Sequence, residues 1–141
     1  VFSGSQAVTI DEKGRIAIPA KLRALIIEFA QGRLVVLPTP EGIKLFPQPE
    51  FERIAKEVIA NHPDVAQRRL LKMRMIGDAM QLEMDAQGRM VLPLDIRKNL
   101  GTDAVLIGQS EHLVLMSVDD WAAYKQTTDA DYRAAYAALN L

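Results

Sequence analysis

Apolar positions along the chain switch between a period of two and a helical period, and they do so in the same order twice. Met80, Leu82 and Met84 alternate with Gln81 and Glu83, as in a strand with one buried face, and Ala7–Ile10 reads as the matching strand in the first half. Each strand runs into a polar turn, Asp11–Gly14 or Asp85–Gly88. Asp stands first and Gly last, the places each prefers in a type I turn. The segments RIAI, 15–18, and RMVL, 89–92, return as short second strands. Pro19 and Pro93 cannot donate to a continuing ladder but suit the first position of a helix, so each predicts a switch from strand to helix. Leu22, Leu25, Ile26 and Phe29 follow at helical spacing.

The parallel extends further. DEKGRIAIPAKLR, 11–23, aligns with DAQGRMVLPLDIR, 85–97, at an offset of 74, and LVVLPTPEGIKLF, 34–46, aligns with AVLIGQSEHLVLM, 104–116, at 70. The first copy therefore carries four additional residues in its helix region. Each second block predicts strand, turn and strand, then a helix with an aromatic residue: Phe51 after Pro49, and Trp121 after the capping sequence SVDD. Phe51, Ile54, Ala55 and Val58 form an apolar stripe expected to face the core. The segment NHPD, 61–64, reads as a linker, followed by a helix to about Met75 and then Gly77. The expectation is a β-rich α+β protein of two tandem β-β-α-β-β-α units. Residues 1–60 form the first, 61–76 a helical linker, 77–125 the second and 126–141 a helical tail around Tyr132 and Tyr136.

A chain of 141 residues holds one ordinary domain or two very small ones sharing a core, and the repeat favours the second. Four-strand units expose long edges and bury little surface alone, so the two are expected to form one pseudo-twofold body that associates with further copies. Hydrophobic residues make up 49% and charged residues 25%, the balance of a packed protein. No apolar run reaches the length of a membrane span, and VFSGSQAV lacks the basic and apolar regions of a signal peptide, so a cytoplasmic protein without a membrane partner is expected. The absence of cysteine excludes disulfides, thiolate nucleophiles and cysteine-bound zinc.

A formal net charge of −1 runs against nucleic-acid binding until its distribution is considered. Residues 1–102 hold 15 basic and 12 acidic side chains, and residues 103–141 hold 2 and 6. The positive charge sits in the repeated blocks and in Arg68, Arg69, Lys72 and Arg74, a cluster that reads equally as a solvated helix face.

The candidate chemistry lies in the repeated turns. Arg15 and Arg89 directly follow a Gly turn, where a side chain reaches outward. Asp11 and Asp85, four positions earlier, can accept turn amides and brace the guanidinium, and Gly14 and Gly88 close the turn. A guanidinium fork held this way suits phosphate oxygens or the O6/N7 edge of guanine. The bland reading is a hairpin with a surface ion pair, worth little. Arg23 and Arg97 lie in the helix after each proline, as secondary basic contacts or as ion-pair partners of Asp11, Asp85 or a helix end.

The blocks VFSG, IDEKGRIAIPAKLR, IGDAMQLEMDAQGRMVLPLDIRKNLG, AVLIGQSEHLVLMS and DDW resemble the MraZ family of bacterial transcriptional regulators over nearly the whole chain. The resemblance implies two AbrB-like swapped-hairpin units, assembly into closed homo-oligomeric rings, and binding to repeated promoter elements in double-stranded DNA upstream of a division and cell-wall operon, generally as a repressor at the nucleoid. It also implies that Arg15 and Arg89 face DNA, with Lys13 helping in the first turn, where the second has Gln87.

An enzyme is disfavoured by the inventory. His62 lies in the linker and His112 in a turn, neither within a nucleophile–base–orienter set, and no phosphate-binding or metalloprotease motif occurs. No metal, cofactor or small-molecule substrate is expected, and Met73, Met75, Met80, Met84 and Met90 read as packing. The alternative is an antitoxin-like interaction module, since AbrB-like folds also serve there. Its tail stripe of Tyr132, Ala135, Tyr136 and Leu139 would cover a partner, although packing on its own subunit is the simpler expectation.

Overall fold

The computed structural model describes residues 1–141. The first copy forms β1 (Ser5–Thr9), β2 (Arg15–Ala17), α1 (Ala20–Ala30), β3 (Arg33–Thr39), β4 (Gly42–Pro47) and α2 (Gln48–Arg53). After α3 (Val65–Leu71), the second forms β5 (Met80–Glu83), β6 (Arg89–Val91), α4 (Leu94–Arg97), β7 (Asp103–Gln109), β8 (His112–Ser117) and α5 (Val118–Thr127), and α6 (Asp129–Ala138) ends the chain. The four residues added in the first copy lengthen α1, which has 11 residues where α4 has 4.

Neither copy pairs its strands only with itself. A six-stranded antiparallel sheet runs β1-β7-β8-β4-β3-β5, so β1 lies against β7 of the other copy and β5 against β3. The small strands β2 and β6 pair only with each other. The exchange is symmetric: Val8 is opposite Ala104 and Leu34 opposite Leu82, positions related by the sequence offsets of 74 and 70. It covers apolar faces that a single four-strand unit would leave in water.

One main core results. Leu34, Val36 and Leu45 on the inner face of the sheet meet Ile16, Ile18, Leu22 and Ile26 of the first copy and Met90, Leu92, Ile96 and Leu100 of the second. No polar or charged side chain is buried. The alternate residues Val35, Leu37 and Phe46 face the other side, under Phe51, Ile54 and Met75.

Several local expectations are corrected. Pro19 and Pro93 are the N-cap residues of α1 and α4, with ψ of 144° and 147°, so each proline ends the strand from just outside the helix. The helices α2 and α3 continue as π-helices over Ile54–Ile59 and Lys72–Ile76. Their wider turns advance the inward position by a residue, so Ile59 is buried and Val58 exposed. The helical spacing of Leu22, Leu25, Ile26 and Phe29 holds within α1, whose last buried residue is Ala30. The tail stripe does not pack on the subunit: Tyr132, Tyr136 and Leu139 are all exposed, and α6 meets α5 around Tyr132 and the turn before it.

Candidate nucleic-acid interface

Asp11 organises the first turn through both of its carboxylate oxygens. Oδ1 accepts the backbone N–H of Lys13 at 2.9 Å and of Arg15 at 2.8 Å, while Oδ2 accepts Arg15 Nε at 2.7 Å. The Gly14 N–H donates to the Asp11 carbonyl at 2.9 Å and closes the type I turn. The second turn repeats this. Asp85 accepts the N–H groups of Gln87 and Arg89, each at 2.9 Å, and Arg89 Nε at 3.1 Å. Gly14 and Gly88 take φ of +81° and +78°, backbone that favours glycine.

The backbone N–H of the following arginine, then its side chain, hold the Asp11 carboxyl below its ordinary value. For Asp85 the Arg89 N–H is again the main cause. Both carboxylates stay ionised at neutral pH, and each immobilises an arginine through Nε only. The Nη groups of Arg15 and Arg89 have no protein partner, and the two side chains remain 35% and 38% exposed.

Pairing of β2 with β6 turns two separate turns into one surface. Ile16 and Met90 point into the core, so Arg15, Ala17, Arg89 and Val91 project from the opposite face of the ribbon. Arg15 lies beside Val91 and Arg89 beside Ala17. The two arginines are therefore diagonal neighbours, with Cα atoms about 7–8 Å apart by ladder geometry. Exposed Ala17 and Val91 form an apolar floor between them, and exposed Lys13 adds a charge at one end where Gln87 stands at the other. Two forks on one ribbon can engage phosphates or guanine edges, with the floor against a thymine methyl.

The remaining basic candidates lie elsewhere. Arg23 and Arg97 form no ion pair with Asp11 or Asp85. Arg23 Nη2 donates to the Ile18 carbonyl at 3.0 Å with its guanidinium packed on Gly88, and Arg97 Nη1 donates to the Glu12 carbonyl at 3.2 Å and packs on Gly14. Both placements cross between the copies. The sequence offered one signal for them: each arginine recurs eight positions after the turn arginine. The cluster on α3 sits on the far face of the sheet, beside Leu37 and Phe46. There Arg68 binds the His62 carbonyl and Arg74 pairs with Asp78 at 3.6 Å. No group of three or more His, Asp and Glu is arranged to hold a metal ion, and no helix is long and apolar enough to cross a membrane.

Among known families, the model described as "MraZ protein, putative antitoxin-like" matches residues 1–73 and again 75–140, one match for each copy. Among curated proteins, the chain is 35% identical over 133 residues to the transcriptional regulator MraZ of Alcanivorax borkumensis, covering 92% of this chain and 91% of that protein. It is 36% identical over 124 residues to the protein of that name from Thioalkalivibrio sulfidiphilus and 39% identical over 126 residues to that from Haemophilus influenzae. Each match covers 86% of this chain and 83% of the relative.

Proposed function

The chain belongs to the MraZ family, and on that footing we propose that it is a sequence-specific DNA-binding regulator of transcription that reads short promoter repeats through Arg15 and Arg89. The observation that carries this reading is the pair of braced arginines on one exposed ribbon, each with its Nη groups free. The Asp braces fix the direction of each fork without occupying it, which lowers the ordering cost of a base contact. One bidentate contact discriminates by about 1–3 kcal/mol, so a single subunit is a weak reader.

Assembly supplies the remainder. The outer edges of β1 and β5 are unpaired, and Val65, Leu70, Met73, Tyr132 and Leu139 expose apolar surface. Copies joined in a closed ring would present many ribbons at fixed spacing and raise affinity through effective concentration. Lys13 adds a positive charge to the first turn where the second has the neutral Gln87. The activity needs no cofactor or small-molecule substrate, and its setting is the cytoplasm, at the nucleoid. Repression of its own division and cell-wall operon is the regulatory outcome that the family resemblance implies.

The test is a selection from sheared genomic DNA of the source organism at one fixed salt concentration, with Arg15→Ala run in parallel. Enrichment of fragments carrying short, regularly spaced repeats, lost in the variant, supports the reading. Uniform recovery by both proteins refutes it. Sedimentation decides the assembly, since a monomer at micromolar concentration excludes the ring.

A second reading, a tail that covers a partner protein, is favoured by the exposure of Tyr132 and Tyr136. If Tyr132→Ser with Tyr136→Ser leaves both assembly and DNA selection unchanged, the tail is free for such a partner; loss of assembly assigns it to self-association.

A further inference from the structure

Each turn glycine is buried although it sits in a polar hairpin, and in each case an arginine of the other copy buries it. A Cβ on Gly14 would fall within 2.7 Å of Arg97 Cζ and 2.9 Å of its Cδ, and a Cβ on Gly88 would fall on the Arg23 guanidinium. The glycines thus serve both the left-handed backbone and the seat of the guanidinium. Next to these seats, the Leu92 N–H donates to the Gly14 carbonyl at 2.8 Å and the Ile18 N–H to the Gly88 carbonyl at 2.9 Å, so each turn is also tied to the strand end of the opposite copy.

Both arginines are half-buried, and part of each guanidinium is withdrawn from solvent. The Nε atoms of Arg23 and Arg97 are buried without a hydrogen-bond partner. A cation gives up that hydration only where packing and its remaining donors compensate. Here the compensation is the carbonyl of Glu12 for Arg97 and of Ile18 for Arg23. Glu12 belongs to the tip of the first turn, between the two residues that form the brace, so Arg97 fixes the peptide from which Lys13 and Arg15 are presented. Ile18 is the residue whose N–H holds Gly88, so Arg23 acts on the second turn from behind.

We propose that Arg23 and Arg97 are positioning residues that clamp each reading turn from the opposite repeat, so that neither turn keeps its DNA-reading geometry without the other copy's helix. This rests on the DNA-reading assignment of Arg15 and Arg89 and adds to it the residues that aim them. It also accounts for why the repeated block extends past the proline to the final arginine: the block contains both a turn and the clamp for the other turn.

The test uses the full chain with Arg97→Met, and with Arg97→Lys as a second variant should the first fail to fold. Amide hydrogen exchange is followed at both turns, and binding is measured to a duplex recovered in the genomic selection across a range of salt. The expected result is faster exchange at residues 12–15 with residues 86–89 unchanged. Specific binding should weaken about tenfold or more, the loss expected for one hydrogen bond to a charged group. The slope of affinity against salt should match the unaltered protein, and Arg97→Lys should recover part of the loss. Equal acceleration at both turns, or at neither, overturns the clamp, and so does a fall in salt slope equal to that of Arg15→Ala, which would make Arg97 a phosphate ligand. Failure of the underlying reading looks different: Arg15→Ala then binds as the unaltered protein does, while exchange still decides the clamp.

Discussion

Ile16 lies directly opposite Met90 in the β2–β6 ladder, and each is only 1% exposed. The pair joins the two copies at their pseudo-twofold axis, beneath the face that carries Arg15 and Arg89. Packing at this point therefore supports the geometry of the interface without touching it.

Truncation there should be costly. Met90→Ala removes most of a side chain enclosed by both copies and is expected to destabilise the protein by about 2–5 kcal/mol, with a single unfolding transition because the copies share one core. Met90→Ile preserves volume and should cost less than about 1.5 kcal/mol. Urea denaturation followed by fluorescence measures both. A loss under about 1 kcal/mol for the alanine variant would show that the axis is loosely packed.

The aspartate braces predict a pH limit. Asp11 and Asp85 have carboxyls depressed below their ordinary value of 3.8, chiefly by the backbone N–H groups of Arg15 and Arg89. A depressed carboxyl contributes stability that is complete above its unfolded value and is lost as pH falls through its folded value. The turns should therefore stay closed from neutrality down to about pH 3.8 and open below it. Carbon-detected titration of the side-chain carboxyls is the check, and midpoints at or above 3.8 would mean that the braces do not form in solution.

Much of this arrangement was legible beforehand because it is local. Asp11 and Gly14 encode their turn through preferences that act within four residues, and Pro19 ends its strand for reasons internal to one peptide. The crossings were not legible. Arg97 packs on a glycine 83 positions away, and nothing near either residue distinguishes that contact from an ion pair with Asp85. Val58 faces solvent for a related reason: a uniform helical period cannot anticipate a π turn. The tail stripe does not meet the expectation of packing on its own subunit, because amphipathicity reports that a face is apolar and leaves its partner unspecified.

Charge and geometry at the reading arginine are separable. Arg15→Lys keeps a cation but loses the planar fork and the Nε bond to Asp11, so contacts to phosphate should persist while base discrimination falls by about 1–3 kcal/mol. Competition between a selected duplex and a scrambled one of equal length measures the difference. Undiminished preference for the selected duplex would assign Arg15 to the phosphate backbone.

His112 offers a last prediction, at the start of β8 beside Phe46 of β4. Its ring lies 5.1 Å from that of Phe46 at a tilt of 34°, and Nε2 is buried without a partner. Burial is the main cause that lowers its affinity for a proton, and Lys44 on the neighbouring strand adds to it; Glu50, Glu41 and Glu111 pull the other way without prevailing. A histidine depressed below 6.5 is neutral in both states above that value. As pH falls, the unfolded chain takes up the proton first, so stability declines until the folded value is passed. Melting temperature should therefore fall as pH is lowered from about 6.5, before the carboxylates titrate. In His112→Phe, which retains an aromatic ring beside Phe46 and removes the orphaned nitrogen, that decline should be largely absent. An equal decline in both proteins would move its origin away from this ring.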